Sequence, residues 1–340
     1  CPTSLSRVGG YILRRTLLIV PVVWGAITLL FLAFFIVPGD PVELLAGDRA
    51  VTPQIRENLE AKFGLDKPWY VQYGKYLDRV IHGDLGESYR SGRSVNGILG
   101  EAAPASIRLA FWAVVVEVLI GIAAGLLSAV KRYSFADALT TVSTTMLLAV
   151  PAFVMGYLLI YMFGVYTFQN DFPQWARFPV QGIGPNSWTL FFIPTGSQWR
   201  HLLMPVLTLA SVQTALVARM TRSSMLEVMR SDYMRTAAAG GLTRRTILLK
   251  HGLKNAMIPV ITLVGLDLAT LIGAAILTET VFNWPGIGSS IAVAIAFLDA
   301  PIVLGLSLVI VVAYVVINLL VDLSYAFFDP RIRYGGERAG

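Results

Sequence analysis

Four carboxylic acids interrupt or border the long apolar runs of this sequence, and their chemistry raises the first functional question. They are Glu117, Asp267, Glu279 and Asp322. A carboxylate in lipid is costly, so it usually faces a partner or a water-filled path. Glu117 lies deepest in its run and Asp267 next. Three roles are open for both acids: they could line a translocation path, pair with a neighbouring helix, or stay neutral and hydrogen-bonded. Glu279 and Asp322 lie near the ends of their runs, where snorkelling or a helix-end contact is expected.

Motifs for other chemistry are missing from the sequence. There is no G-x-x-x-x-G-K-[ST] phosphate loop, no G-x-S-x-G elbow and no H-E-x-x-H zinc helix. The three histidines, His82, His201 and His251, stand apart from one another, and Cys1 is the single cysteine. We therefore expect no catalytic residue, no metal site, no disulfide within the chain and no cofactor bound by it.

Composition places the chain in a membrane. Its 340 residues are 55% hydrophobic and 14% charged, whereas soluble domains average about 25% charged residues. The mean hydropathy is +0.65. Apolar runs reach the roughly 20 residues that cross a bilayer as a helix. The weak alternation in short segments that is typical of an outer-membrane barrel does not appear. The sequence thus predicts an all-α polytopic membrane protein.

Six spans are predicted from the apolar runs. The third begins near Ala138, and because no charge follows until Asp171, the run exceeds one span and its end should leave the bilayer. The other five lie at roughly 13–37, at 106–130, between Arg200 and Arg219, at 256–280 and at 301–326.

Two glycines four residues apart, Gly121 and Gly125, lie in the second span. The G-x-x-x-G spacing lets helix backbones approach closely. The motif is weak, and it predicts only tight packing on this side of the span.

The basic residues set the predicted orientation, because Lys and Arg collect on the cytoplasmic side of a membrane. Segments 171–200 and 281–300 contain only two basic residues, Arg177 and Arg200. The segments on the other side hold Arg7, Arg14, Arg15, Lys131, Arg132, Arg219, Arg222, Arg230, Arg235, Arg244, Arg245, Lys250, Lys254, Arg331, Arg333 and Arg338. Both termini are therefore expected in the cytoplasm, and the net charge of +6 reflects topology rather than nucleic-acid binding.

Segment 38–104 is predicted to lie outside the cell membrane as a small helical subdomain. Thr52-Pro53 should open one helix that Gly64 closes. Pro68 should start a second helix that ends at Gly83. The predicted inner face of this second helix holds Trp69, Tyr73, Leu77 and Val80. Both a binding role and a merely structural role remain open for this segment.

The stretch "DYMRTAAAGGLTRRTILLKHGLKN", residues 232–255, predicts a helix–turn–helix bracket. Ser231 is expected to cap a helix that runs to Ala239, because alanines are strong helix formers. Gly240 and Gly241 should end it. Thr243 should cap a second helix, with Leu242, Thr246, Leu249 and Leu253 on one face. A small, smooth front suits docking into a cleft on another protein; a basic loop attracted to anionic lipid is the alternative.

This stretch resembles the "EAA" loop of ATP-binding-cassette (ABC) importer permeases, and in particular that of the peptide-permease branch. The matching residues are Asp232, Tyr233, Arg235, Thr236, Ala237, Ala239, Gly241, Leu242, Ile247, His251, Asn255, Ala256 and Pro259. Further stretches match in order: "PGDP", "GLDKPWYVQYGKYL", "GDLGESY", "ARMTRSSMLEVMRSDY", "TETVFNWPGIG" and "NLLVDLSYAFFDPRIR". Gly240 replaces the usual Lys, and "APAS" at 103–106 stands where the family often has L-P-A-T.

The resemblance implies a type I ABC importer permease fold, divided into residues 1–37, an extracytoplasmic insertion at 38–104 and a core at 105–340 with its coupling loop at 223–255. It implies a non-catalytic subunit for short-peptide import. The implied partners are a second permease, two cytosolic ATPase subunits that hold ATP and Mg²⁺, and an extracytoplasmic substrate-binding protein. The implied contact with the ATPase uses Asp232, Tyr233, Arg235, Thr236, Ala237, Ala238, Ala239, Gly240, Gly241 and Leu242.

Two other function classes compete with this one. A channel or secondary carrier would work without ATP, but a carrier should show internal repeats or paired broken helices, and no clear duplication is visible. A membrane-embedded enzyme would need a nucleophile or metal set. Within the resembling family, dipeptides, longer peptides, nickel and haem are all substrates, and the sequence does not select among them.

Overall fold

The computed structural model of the protein describes residues 3–36, 53–54, 56–57, 60, 66–184 and 188–328. The predicted helix from Thr52-Pro53 to Gly64 lies largely outside these residues. Regular structure in the described ranges is helical apart from a hairpin in which strand β1, Trp188–Thr189, pairs antiparallel with β2, Ile193–Pro194. The helices are α1 (Thr3–Ile36), α2 (Trp69–Ile81), α3 (Val95–Val130), α4 (Phe135–Ala149), α5 (Ala152–Leu159), a π-helical segment (Ile160–Tyr166), α6 (Thr167–Gln169), a 3-10 turn (Gln174–Ala176), α7 (Gln198–Met229), α8 (Asp232–Ala239), α9 (Arg244–Thr246), a second π-helical segment (Ile247–Leu253), α10 (Lys254–Val281), α11 (Ile287–Ala296) and α12 (Ala300–Phe328).

Six described segments are long and apolar enough to span a membrane, as predicted. They are Thr16–Ala33, Val95–Val130, Ala152–Gln169, Gln198–Met229, Arg244–Leu268 and Ala300–Val321. The second and fourth are longer than predicted, with 36 and 32 residues. Since about 20 residues cross the hydrocarbon layer, these two helices project beyond it.

The third predicted span is wrong in its start. The run from Ala138 is not one helix but two, because α4 ends at Ala149 and the next residue, Val150, is extended with φ −94° and ψ 123°. Pro151 follows, and a proline disfavours helical backbone in the residue before it. The membrane-length segment therefore begins at Ala152, and the 15-residue α4 is a separate, shorter helix.

Residues Ala105–Pro285 form one compact unit. Helix α7 is its centre and packs against α4, α5 and α10. The largest buried side chain is Trp284, whose Nε1 donates to the Ala105 carbonyl oxygen at 3.0 Å. Leu109, Leu209 and Leu271 pack in the same apolar cluster.

Residues Cys1–Pro104 and Gly286–Gly340 form the other unit. Within it, the apolar cluster of α1, α2 and α12 includes Phe31, Tyr76 and Leu304. Helix α2 ends before Gly83, which has φ +77°, as predicted. The predicted inner face of α2 is wrong at one end, because Trp69 is 51% exposed. Tyr76, which was not predicted to face inward, is buried. Trp69 is the first residue of α2, so it lies at the end of the helix rather than against its core.

Candidate functional site

Helix α8 presents an exposed surface over most of its length. Asp232, Tyr233 and Arg235 are exposed, and so are Thr236, Ala238 and Ala239, whereas Ala237 is half-buried. Met234 is the one buried residue of the helix. Ser231 has the extended backbone of a helix cap, but its Oγ donates to the Val228 carbonyl oxygen at 2.6 Å. The predicted side-chain cap is therefore wrong, because that hydroxyl bonds the end of α7.

The two glycines after α8 differ in what they require. Gly240 has φ −74°, which any L-residue adopts, while Gly241 has φ +78° in the left-handed region. Only Gly241 therefore exploits the conformational freedom of glycine. A Cβ at Gly241 would meet nothing within 4 Å, so the turn is open space and the constraint there is backbone conformation. Nothing in the structure explains why Gly240 stands in place of the usual Lys.

The predicted cap of the second helix is confirmed. Thr243 is extended, and its Oγ1 accepts from the Thr246 backbone N at 3.4 Å. The helix that follows passes from α9 through the π-helical segment into α10.

The predicted apolar face of that helix is wrong at two positions. The side chains of Leu242 and Leu249 are 43% and 45% exposed, while Leu248 and Leu253 pack in a cluster with Met225. Leu242 lies before the Thr243 cap, outside the helix, so no helical face includes it. Leu249 lies in the π-helical segment, whose i→i+5 hydrogen bonds rotate the face relative to an α-helix. An α-helical periodicity cannot describe it.

Two contacts join α8 to the π-helical segment and α10. Asn255 Nδ2 donates to the Tyr233 hydroxyl at 3.0 Å, and also to the His251 carbonyl oxygen at 3.0 Å. Met234 covers Gly252, where an added Cβ would lie 3.2 Å from Met234 Cε. The missing side chain at Gly252 makes room for the Met234 side chain. Met234 was not predicted as a functional residue from the sequence, although it is the one large aliphatic residue in α8.

The surface around this bracket is basic and solvated. Arg244, Arg245, Lys250 and Lys254 are all exposed. The Arg235 and Asp232 side chains lie 3.6 Å apart, but both are largely exposed, so this pair contributes little to stability. The charged groups are thus available to a partner surface.

A bidentate ion pair lies where α3 ends and α4 begins. Arg222 of α7 donates through Nε to Asp137 Oδ1 at 2.8 Å and through Nη2 to Oδ2 at 3.1 Å. Ser128 Oγ donates to Oδ1 at 2.5 Å, and the Tyr133 backbone N donates to Oδ2 at 2.9 Å. The Arg222 guanidinium, followed by Ser128 and Tyr133, holds the pKa of Asp137 well below its usual range. Asp137 is therefore charged.

The pairing of Asp137 with Arg222 was not predicted from the sequence. The available signal was Ser134 three residues before Asp137, a helix-start pattern, and Ser134 Oγ does accept from the Asp137 backbone N at 3.4 Å. That pattern marks the start of α4 but not the partner of Asp137, because Arg222 is 85 residues away in sequence.

The two acids predicted for the translocation path are both buried in the Ala105–Pro285 unit. Glu117 is 0% exposed and Asp267 is 7% exposed. Neither oxygen of Glu117 has a hydrogen-bond partner among the described residues, and Asp267 Oδ2 has none there either. Both acids lie deep in their apolar runs, as the sequence indicates, but whether they line a path stays a prediction.

Of the two remaining acids, the structure describes the side chain of Glu279 but not that of Asp322. Glu279 is fully buried, and its Oε1 accepts from Ser106 Oγ at 2.5 Å. Of the two expectations for Glu279, snorkelling is wrong, whereas a contact near the helix end is confirmed, since α10 ends at Val281 and the bond to Ser106 lies close to that end. The side chain of Asp322 lies outside the described residues.

The sequence matches two families of known proteins. Residues 121–334 match "Binding-protein-dependent transport system inner membrane component", and residues 9–110 match the N-terminal part of such membrane components.

Several curated proteins are similar over nearly their full length. The dipeptide transport system permease protein DppB of Alkalihalophilus pseudofirmus is 38% identical over 96% of this chain and 99% of its own. The probable D,D-dipeptide transport system permease protein DdpB of Escherichia coli is 42% identical over 94% and 96%. The glutathione transport system permease protein GsiC of Escherichia coli is 36% identical over 96% and 99%.

A solved structure supports the fold. The crystal structure of an amino acid ABC transporter with histidines aligns with 68% of this chain and 95% of its own, with a TM-score of 0.50 and 13% sequence identity. The six membrane-length helices agree with the type I permease fold implied by the resemblance. Two family matches and near-full-length relatives confirm what the "EAA"-like stretch indicated: the chain belongs to the family of binding-protein-dependent transport system inner membrane components, the permeases of ABC importers.

Proposed function

We propose that this chain is the membrane permease subunit of an ATP-driven importer for short peptides. The observation that carries the proposal is α8, which is exposed to solvent yet anchored through Met234 and Tyr233 to the helix that continues as α10. A channel or secondary carrier has no need for such an exposed, anchored helix. The peptide substrate is supported by relatives named as dipeptide and glutathione permeases.

In this mechanism α8 docks into a cleft on a cytosolic ATPase subunit. Asp232, Tyr233, Arg235, Thr236, Ala237, Ala238, Ala239, Gly240, Gly241 and Leu242 form or border the contact surface. When the two ATPase subunits close on ATP and Mg²⁺, α8 moves with its subunit. Because Met234 covers Gly252 and Tyr233 bonds Asn255, the movement passes to the π-helical segment and α10. The chain itself acts mechanically and supplies no catalytic group.

The complete importer contains further partners. A second, homologous permease completes the pore, and an extracytoplasmic substrate-binding protein delivers the peptide. Rigid-body switching of the two permeases then alternates access to the two sides of the membrane. Glu117 and Asp267 line the translocation path in this proposal, because a carboxyl buried at membrane depth without a partner is best explained by a site for a substrate.

The predicted orientation completes the proposal. The chain lies in the cell membrane with both termini and the α8 bracket in the cytoplasm, and segment 38–104 lies outside. The basic residues after α7 support this orientation. Membrane-impermeant thiol labelling checks it: in the permease expressed without its ATPase subunits, a cysteine introduced at exposed Ala238 should react only after the membrane is opened.

The functional test uses proteoliposomes that hold the assembled importer, with labelled dialanine and the binding protein outside and ATP inside. Uptake that requires ATP supports the proposal, while uptake without ATP, or none under any condition, contradicts it. Gly241→Glu should abolish uptake, since φ +78° strains any L-residue and the new charge lies on the docking surface. Gly240→Glu is the matched control: it adds the same charge without the strain, so it should retain more uptake than Gly241→Glu.

A further inference from the structure

A row of buried residues runs along one side of α3, one helical turn apart. Its members are Leu109, Ala113, Glu117, Gly121 and Gly125. Glu117 is the one ionisable group in this row, and it is fully buried. A carboxyl placed between small apolar residues in a helix interface needs a physical reason.

The two glycines show which helix faces this row. A Cβ at Gly121 would lie 2.7 Å from Val217 Cγ1, and one at Gly125 would lie 2.7 Å from Thr221 Cβ. Each step of four residues along α3 thus matches a step of four along α7, so the two helices run parallel and in step. One turn before Gly121, Glu117 therefore lies at the level of Gln213.

The side-chain atoms of Glu117, Gln213 and Asp267 that lack a hydrogen-bond partner among the described residues are all oxygens. Gln213 Nε2 donates to Thr270 Oγ1 at 3.1 Å, and Thr270 Oγ1 donates to the Asp267 carbonyl oxygen at 2.9 Å. Four acceptor atoms have no partner among the described residues: both oxygens of Glu117, Oε1 of Gln213 and Oδ2 of Asp267. Asp267 lies one helical turn before Thr270 on α10, so the hydrogen bond from Gln213 to Thr270 brings the Asp267 turn of α10 to this part of α7. The two donors of this group, the Gln213 amide and the Thr270 hydroxyl, are already used, so no donor among these side chains is left for the four oxygens.

The side chains of this cluster differ in exposure, from an exposed threonine to a fully buried glutamate. Thr270 is exposed, Gln213 is half-buried, Asp267 is buried and Glu117 is fully buried. A compact group that enters beside Thr270 would meet the amide first and the carboxyls next. Buried acceptors without donors cost free energy, so a group that brings both donors and positive charge would be stabilised here.

We propose that Glu117, Gln213 and Asp267 bind the α-ammonium group of a transported peptide, an inference that rests on the proposed function. An α-ammonium is compact, carries one positive charge and offers three N–H donors to the unpaired oxygens. Peptides of different sequence share this group, whereas their side chains vary. A site that reads it therefore accepts many peptides while it rejects those with a blocked amino terminus.

The test measures binding to the purified complex of permeases and ATPase subunits without the binding protein, which would impose its own selection. Labelled dialanine and N-acetyl-dialanine are the probes, in nucleotide-free and vanadate-trapped complexes. Wild type should bind dialanine at least about tenfold more tightly than its acetylated form, the loss expected for one charged hydrogen-bonded contact. Glu117→Gln and Asp267→Asn should each remove most of that difference. Glu101→Gln, an exposed acid on the same helix, should preserve it.

The outcomes separate the inference from the function on which it rests. If Glu117→Gln and Asp267→Asn both fold, judged by thermal melting, and both discriminate like wild type, the ammonium site is wrong while peptide import stands. The same conclusion follows if wild type does not discriminate, or if K⁺ or Ni²⁺ binds through Glu117 without affecting dialanine. Should one variant fail to fold, the other decides. Absence of ATP-dependent uptake of dialanine by the wild-type importer overturns the proposed function instead.

Discussion

Asn255 Nδ2 donates a hydrogen bond to the Tyr233 hydroxyl at 3.0 Å, across 22 residues of sequence. Tyr233 lies in the first turn of α8, and Asn255 lies in the first turn of α10. The bond therefore closes the bracket at its base, on the side away from Gly241. Together with Met234 over Gly252, it connects α8 to the helix that continues as α10.

Removal of this bond should loosen transmission without preventing docking. Tyr233→Phe keeps the ring and deletes only the hydroxyl, so we expect the number of peptides imported per ATP hydrolysed to fall about two- to threefold, in keeping with the small net contribution of one exposed hydrogen bond. The measurement is paired uptake and phosphate release in proteoliposomes. Tyr157→Phe, at another exposed tyrosine, is the control. If Tyr233→Phe imports as many peptides per ATP hydrolysed as wild type, the bond does not contribute to coupling.

The glycine turn should respond to backbone conformation and not to side-chain volume. Gly241→Val should cost about 1–2 kcal/mol because φ is +78° and the new side chain is branched, whereas Gly241→Asn should cost less, since asparagine enters the left-handed region more readily. Gly240→Lys should fall within about 0.5 kcal/mol of wild type, because φ −74° suits any residue. Thermal melting in detergent ranks the three variants. The reverse order, with Gly240→Lys worst, would contradict the assignment of the turn to Gly241.

Because α3 packs closely against α7 at only one of two glycines, replacement of each glycine by alanine should change the stability of the protein in opposite directions. Gly125→Ala would force its Cβ against the Ala218 carbonyl oxygen and Thr221, so we expect a loss of about 1–3 kcal/mol. Gly97→Ala, with nothing within 4 Å, should be neutral or stabilising by up to about 1 kcal/mol, because alanine favours the helix. Chemical or thermal unfolding in detergent compares them. Equal effects would argue against close α3–α7 packing.

The Asp137–Arg222 pair should add a pH-dependent component to stability. The folded-state pKa of Asp137 lies below its unfolded value, so the pair stabilises fully above about pH 4 and progressively less as pH falls toward the folded pKa. Asp137→Asn should lower Tm by about 3 °C at pH 7 and narrow its gap to wild type in acid. Melting curves from pH 3 to 7 test this.

Asp171→Asn provides the matched control, because Asp171 pairs with Arg177 at 3.2 Å but its side chain is almost fully exposed. Screening by solvent makes such a pair nearly ineffective, so no change in Tm is expected. A gap between wild type and Asp137→Asn that widens as pH falls would reverse the assigned sign.

Features that depend on local sequence were the ones that could be predicted. The number of spans, the turn at Gly241 and the Thr243 cap all follow from composition or from a single residue type. Pro151 could have been read as the end of α4, but the charge-free run concealed it. The Gly121 and Gly125 pattern also held, since small residues do mark a close contact.

Features that depend on tertiary contacts could not be predicted in the same way. Arg222 and Asp137 meet only because α4 folds back on α7. Met234 is selected by the space above Gly252, which no linear pattern reveals. Glu117 was recognisable as a buried acid, but its neighbour Gln213 became visible only through the parallel register of two helices.

The π-helical segment between α9 and α10 has a consequence for chain length. A π-helical segment contains more residues than an α-helix that spans the same length, as if one extra residue were inserted into the helix. Deletion of a single residue from Ile247–Leu253 would allow the segment to relax into α-helical geometry, and each residue of an α-helix turns the axis by about 100°. Helix α8 would then point in another direction relative to α10. The direction in which the bracket faces thus depends on the number of residues in this segment, and in the proposed function a chain shortened by one residue here would present α8 to the ATPase subunit in a different direction.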